Sequence, residues 1–391
     1  MMFPHSSESR IHSLDVIRGF AVLGILAMNI RAFGLPEGSY LDPFSYGNPS
    51  FLDLIIFTVT DVVFREKCMG IFSLLFGVGV LIFTQKPEQK QLNAWQLHKR
   101  RCLWLLSFGL FHSYFIWSGD ILTLYAACGF LIYAFRHQSV KHLFIIGTAF
   151  ILLETCLTLL FDLIFMFADE ALQGELQAEI SPSKEAIQIE LDGYESMSWL
   201  EKFWVRADNS LQMQLGYIML ILGRTTGLML WGMALYKLGF FNLTWQASRY
   251  FKIAITSLVI GLSLEAIHAQ FVFSDGGFRY LQFVVSLWAS LAMLLAYMSI
   301  FLWVLSKGYL KTLTLILASC GRMAFTLYIM QSLICTSLFW GLGMFAEFTY
   351  SQLFLVVMTI WVLQITFAHF WWQGFKQGPL EYMWRRLTYL K

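Results

Sequence analysis

The chain has 391 residues, 58% hydrophobic and only 13% charged, with a net charge of +2 and a mean hydropathy of +0.62. A soluble domain carries about 25% charged residues, so this composition excludes an ordinary water-soluble enzyme and points to a chain that lives mainly in lipid. The small net charge argues against nucleic acid as a partner, and the 14 Trp and 16 Tyr suit two interfacial belts.

Crossing about 30 Å of hydrocarbon takes roughly 20 apolar residues. Ten runs approach this: 14–34, 66–84, 102–118, 121–136, 142–167, 211–236, 251–272, 280–305, 322–343 and 351–373. They predict an all-α, polytopic membrane helix bundle forming a single transmembrane domain over 1–391. The first run contains Arg18, and no small-residue cleavage site precedes residue 36, so it reads as a retained span. The stretch 51–64, "FLDLIIFTVTDVVF", is short and polar and is expected to be interfacial or half-inserted. In "FSLLFGVGV" (72–80), Gly77 and Gly79 suggest close helix packing, since no P-loop lysine accompanies them. The six cysteines form no CxxC pair and read as small buried hydrophobes. With no HExxH or GxSxG either, no metal site or hydrolase is expected.

The loops give the orientation. Alternate loops collect Arg10; Lys86, Lys90, Lys99, Arg100 and Arg101; Arg136 and Lys141; Lys237, Arg249 and Lys252; Lys307 and Lys311; and Lys376, Arg385, Arg386 and Lys391, which is 17 of the 27 Lys and Arg. The other loops hold Lys184, Lys202, Arg206 and Arg279. The positive-inside rule then predicts both termini in the cytoplasm. Residues 168–208 form an acidic extracytoplasmic loop, ten acidic residues against three basic. Its pattern suggests short amphipathic helices, with Trp199 and Trp204 at the membrane surface. It reads as a connector rather than a cover over a site.

Ionisable groups in spans are expensive and normally face the protein interior. A cytoplasmic layer holds Asp15 and Arg18 in "SLDVIRGF", Arg322 in "CGRMAF", and His369. Asp15 and Arg18 share a helix face and can pair. They are either a structural ion pair or, with Arg322, part of a phosphate-binding site, for which the planar guanidinium is suited. An outer layer holds Asn29, Arg31, His112, Asp120, Asp162, Glu265 and His268, with Lys67, Arg224 and Gln331 near the middle. In "FHSYFIWSGDILTLYAACGF" (111–130), "SGD" reads as a tight turn in which Gly119 supplies backbone freedom. Asp120 is a natural N-cap for the helix that follows. His112 is then either a satisfied buried histidine or a base beneath that carboxylate.

The stretches "RIHSLDVIRGFAVLGILAMN" (10–29), "REKCMGIFSLLFGVG" (65–79), "RRCLWLLSFGLFHSYFIWSGDILTLYAACG" (100–129), "GRMAFTLYIMQSLI" (321–334) and "GPLEYMWRRLTY" (378–389) resemble the YeiB family of bacterial inner-membrane proteins. The resemblance runs along nearly the whole chain, and 211–391 corresponds to the family-defining C-terminal domain. That family is similar in turn to transmembrane acyltransferases of the heparan-α-glucosaminide N-acetyltransferase and polysaccharide O-acyltransferase types. The shared element is "LDxxRG" followed by a polar residue eleven positions after the arginine, here Arg18 and Asn29. The resemblance implies a multi-pass protein of the bacterial cytoplasmic (inner) membrane. It also implies acyl-CoA (acetyl-CoA) as co-substrate, with no other bound cofactor, and an acyl group delivered to an envelope glycan or lipid acceptor. Asp15, Arg18, Lys67 and Arg322 would bind the donor.

The chain departs from both relatives. The polysaccharide enzymes carry a histidine where this chain has Asn29. The heparan type has one in the following loop, whereas "LPEGSYLDPFSYGNPS" has none. His112 with Asp120 is the candidate replacement, His112 as base and Asp120 either orienting it or binding the acceptor, with Asn29 stabilising the oxyanion. The alternative from another class is a transporter or exporter of a small anionic or lipidic solute, using Asp162, Arg224, Glu265 and His268 as its path. A non-catalytic membrane partner is a third reading. Besides the bilayer, a second copy of the chain is a candidate partner.

Overall fold

Helices follow one another with short connections: α1 (His12–Gly34), α2 (Phe51–Phe64), α3 (Lys67–Gln89), α4 (Ala94–Phe115), α5 (Leu122–Ile132), α6 (Val140–Phe167), α7 (Lys184–Ser196), α8 (Trp199–Ile221), α9 (Arg224–Lys237), α10 (Ala247–Val272), α11 (Arg279–Lys307), α12 (Lys311–Gly321), α13 (Ala324–Cys335), α14 (Tyr350–Gly374) and α15 (Pro379–Tyr389). The computed structural model describes residues 11–174, 182–221, 223–272 and 279–389, and no strand occurs among them. Arg10 and Lys391 lie outside the described residues, as do the side chains of Trp199 and Arg279.

Among the described residues, seven helices are long and apolar enough to cross a membrane, or eight if α8 and α9, bent by 48°, make one span. The sequence suggested ten. The difference lies in the third and fourth runs, and in the count of seven also in the sixth (211–236), which is split by the bend between α8 and α9. Helix α4 starts at Ala94 and carries Lys99, Arg100 and Arg101 in its first half. Helix α5 has 11 residues, about 16 Å of rise, roughly half the hydrocarbon thickness. The stretch 51–64 is α2, opened by a capping box between Ser50 and Asp53. It runs into α3 across a two-residue break where Glu66 has φ 59.

Helix α1 is mainly apolar because it is buried over most of its surface: Val16, Ile17, Ala21 and Val22 are fully covered. Helices α6, α10 and α14 bury far less of their spans and form the periphery. Lipid tails supply no hydrophobic drive between helices, so contact depends on backbones approaching closely. Glycines permit it. A Cβ on Gly19 would collide with the Leu317 carbonyl, and one on Gly321 with that of Asp15, so α1 and α12 touch backbone to backbone. Gly77 and Gly232 do the same for α3 and α9. Gly79 differs from the packing expected of it, since it faces the Arg101 guanidinium.

Gly19 directly follows Arg18, and Gly321 directly precedes Arg322. This close helix contact therefore sets both arginines at one place. Gly321→Ala is expected to force α1 and α12 apart, at about 1–3 kcal/mol by the usual price of overpacking. Thermal unfolding in detergent would show it, and an unchanged midpoint would contradict the packing argument.

Candidate functional site

A cavity of about 370 Å³ opens between α1, α3, α4, α5, α13, α14 and α15. Its wall carries Arg18, Arg101, Arg322 and Arg385, together with Gln377 and Glu381; the remainder is mainly apolar, with Phe72, Phe76 and Leu105, and reaches Tyr125, Ile121 and Tyr328. Arg18 also pairs with Asp15 at 3.1 Å, the i,i+3 contact its spacing suggests. The Arg322 guanidinium lies 4.1 Å above the Trp372 ring, and Arg101 is 4.7 Å from the Phe83 and Trp384 rings. Stacking of this kind holds a guanidinium without consuming all its donors. Glu381 of the amphipathic α15 accepts from Phe325 N, Thr326 N and the Thr326 hydroxyl at 2.6–3.1 Å, capping α13. Burial raises its carboxyl, against the pull of these bonds.

The histidine–aspartate pair lies beside the far end of this cavity. His112 and Asp120 are both fully buried, with Nδ1 2.9 Å from Oδ1. Asp120 Oδ2 accepts from Thr123 N at 2.7 Å, and the Asp120 carbonyl accepts from the Tyr217 hydroxyl. The N-cap of α5 is Ile121 rather than Asp120, but the Asp120 carboxylate still accepts from the first turn of α5 with one oxygen and orients a histidine with the other, so the two readings of Asp120 are not exclusive. Because an ionised carboxylate only accepts, Nδ1 carries the proton, and in the neutral imidazole Nε2 then keeps its lone pair. That Nε2 is buried with no hydrogen-bond partner. Gly109 makes room for Asp120, since a Cβ there would press on Thr123 and Asp120 Oδ2. Gly119 has no positive φ; its missing side chain makes way for the Trp117 ring, which corrects the conformational role expected for it.

Asn29 forms no hydrogen bond with His112 or Asp120. Arg18, Ile25, Asn29 and Phe33 recur along one face of α1. Arg18 and Ile25 line the cavity, while Phe33 stacks on Trp117, whose ring neighbours His112. Asn29 therefore stands on the stripe between them. Gln331 bonds the Val22 carbonyl and Gln364, tying α13 to α1 and α14. His369 is exposed against Phe370 and is not part of the cavity wall.

Lys67 does not line the cavity either. It is fully buried, 2.6 Å from Glu265 and donating to the Asp61 carbonyl. It belongs to a network that the sequence shows only in part. Arg31 donates to Phe57 O at 2.7 Å and the Thr60 hydroxyl at 2.5 Å, and lies 3.7 Å from Asp61. Arg65 is 3.5 Å from Asp61 and bonds His268 Nε2 at 2.6 Å and Ser286 at 2.8 Å. Arg224 pairs with Glu66 at 2.6 Å and with Glu154 at 3.3 Å. Asp162 lies on the same buried stripe of α6 as Glu154. Sequence reasoning missed Asp61, Arg65, Glu66 and Glu154. The signal available for the first three was charge at one-turn spacing within and just after 51–64.

Four cations (Arg31, Arg65, Lys67, Arg224) thus face four carboxylates (Asp61, Glu66, Glu154, Glu265). Donor atoms of Asp61, Glu265 and His268 lie within 4.8 Å of one another. Arg65 and Lys67 already face them, so a divalent cation would meet two positive groups at contact distance.

At the other end, α7 is tied down rather than loose. The Tyr194 hydroxyl donates to Phe339 O at 2.5 Å, and Glu190 accepts from Glu37 N at 3.3 Å. Trp204 is exposed.

Fold and site define a polytopic helical membrane protein with an arginine-bearing cavity and a buried His–Asp pair next to it. Compared with known proteins, the chain is 31% identical to the Escherichia coli (strain K12) protein described as "Uncharacterized protein YeiB", covering 96% of this chain and 95% of that one. It is 28% identical to the Bacillus subtilis (strain 168) protein described as "Uncharacterized protein YxaH", covering 99% and 96%. Residues 235–391 match the family described as "Protein of unknown function (DUF418)". The chain belongs to the YeiB family. No solved structure matches it.

Proposed function

We propose that the protein is an acyltransferase of a bacterial cytoplasmic membrane, taking an acyl group from an acyl-CoA-like thioester and passing it to an envelope acceptor. The observation that carries this reading is the cavity itself: arginines suited to phosphates on its wall, an apolar interior, and an end against the residues flanking Asp120. Arg18 and Asn29 are eleven residues apart on α1, about 16 Å at the helical rise. The long arm between the phosphates and thioester of an acyl-CoA suits such a depth.

In this reading the acceptor hydroxyl or amine gives its proton to His112 Nε2 and attacks the thioester carbonyl. The new C–O or C–N bond forms, the C–S bond breaks, and His112 returns the proton to the departing sulfur. Asp120 holds the ring and stabilises its charged form, while Asn29 donates to the developing oxyanion. Arg18, Arg101 and Arg322 hold phosphate.

Equilibrium binding of acetyl-CoA and longer acyl-CoAs to detergent-purified protein tests the donor site. Micromolar binding is expected, weakened about tenfold or more by Arg18→Ala or Arg322→Ala, as for a lost charge-assisted hydrogen bond. Absence of binding for every donor, with proton-coupled solute uptake instead, would replace this reading by the transporter.

A further inference from the structure

One aromatic ring borders both the cavity and the histidine. Tyr328 lines the cavity, and its ring centroid is 5.2 Å from that of His112. Its hydroxyl donates to Gly119 O at 3.4 Å and accepts from Ile121 N at 3.3 Å, the backbone groups on either side of Asp120. Tyr217 holds the carbonyl of Asp120 itself. Two tyrosines from two helices therefore fix the turn whose carboxylate fixes His112 Nδ1. The result is an imidazole nitrogen, Nε2, that is buried and unpartnered. Leaving a buried polar atom in that state costs about 1–3 kcal/mol, and native interiors rarely retain one without a use for it.

We infer that Tyr328 is a positioning residue and the partition of this site: its hydroxyl holds the Asp120 turn, and its ring closes the cavity against His112 Nε2. Material in the cavity then meets the histidine only when that ring turns. The identity of the cavity's occupant rests on the acyl-donor reading; the partition does not.

Diethyl pyrocarbonate, which acylates neutral imidazole nitrogens, tests this in the full detergent-purified chain, with modification of each histidine followed by peptide mass spectrometry. His137, whose side chain is 66% exposed, and the buried His98 serve as internal references. In the native chain His112 is expected to react far more slowly than His137. Tyr328→Leu and Tyr328→Ala should raise the His112 rate, relative to His137, by about tenfold or more, because a closed partition leaves roughly 0.1–10% of molecules open. Tyr328→Phe keeps the ring and loses only two hydrogen bonds of roughly 1 kcal/mol each, so its rate should rise less than in Tyr328→Leu and Tyr328→Ala. His98 should remain slow throughout.

Unchanged His112 reactivity in both Tyr328→Leu and Tyr328→Ala would overturn the inference. So would His98 rising in step with His112, which would mean that the bundle had loosened as a whole. Coenzyme A added beforehand separates the two readings. If Tyr328→Leu accelerates modification but coenzyme A gives no protection, the donor reading falls and the partition stands. If coenzyme A binds but Tyr328→Leu has no effect, the reverse holds.

Discussion

His112→Ala, in membrane vesicles supplied with labelled acetyl-CoA, is expected to lower acyl transfer to envelope material by about 10²–10⁴-fold, the usual contribution of a positioned general base. Asp120→Asn should fall in the same range with little change in donor binding. Its amide can still contact Nδ1 but can donate to it, so the ring is free to present the wrong tautomer. The two losses should not add, because Asp120 acts through His112. Arg18→Ala should instead act on donor affinity. Transfer that depends on Arg18 but survives His112→Ala would remove the histidine from the mechanism while leaving the donor site intact.

Lys67→Met should be among the most destabilising single changes in the chain. It leaves Glu265, 2% exposed, facing no ammonium group, and breaking a buried ion pair from one side costs about 3–5 kcal/mol. Lys67→Met combined with Glu265→Gln should recover most of that loss, since removing both charges also removes the unpaired one. Thermal unfolding in detergent reads both. A Lys67→Met protein as stable as the parent would mean that Glu265 is charge-compensated from elsewhere or is neutral. The four cations and four carboxylates balance in sum, with Asp61 shared by Arg31 and Arg65 and Arg224 shared by Glu66 and Glu154, and the network forms internal scaffolding that joins α2 and α3 to α6, α9 and α10.

Much of the fold is legible from composition and run length. Helices α1, α6, α10, α11, α13 and α14 each follow from a continuous apolar run bounded by polar residues. The two runs between 102 and 136 are not among the long apolar helices, because hydropathy marks exclusion from water and not length of travel. Residues buried among other helices are as apolar as residues facing lipid, and α5 is short and enclosed. The polar groups were visible one by one because lipid tolerates few of them, and the i,i+3 pair of Asp15 and Arg18 followed from helix geometry.

Their grouping was not visible. His112 and Asp120 are eight residues apart across a turn, and their 2.9 Å bond depends on how that turn closes under Tyr217 and Tyr328, about 100 and 200 residues further along. Lys67 looked like a donor-binding group until Glu265, on another helix, proved to be its partner. Composition and periodicity by themselves determined that this chain is a helical membrane protein with ionisable groups inside it. Only the tertiary structure decided which of those groups neutralise one another and which border a cavity. Ion pairing falls off over a few ångströms, while chain position constrains distance only within one helix.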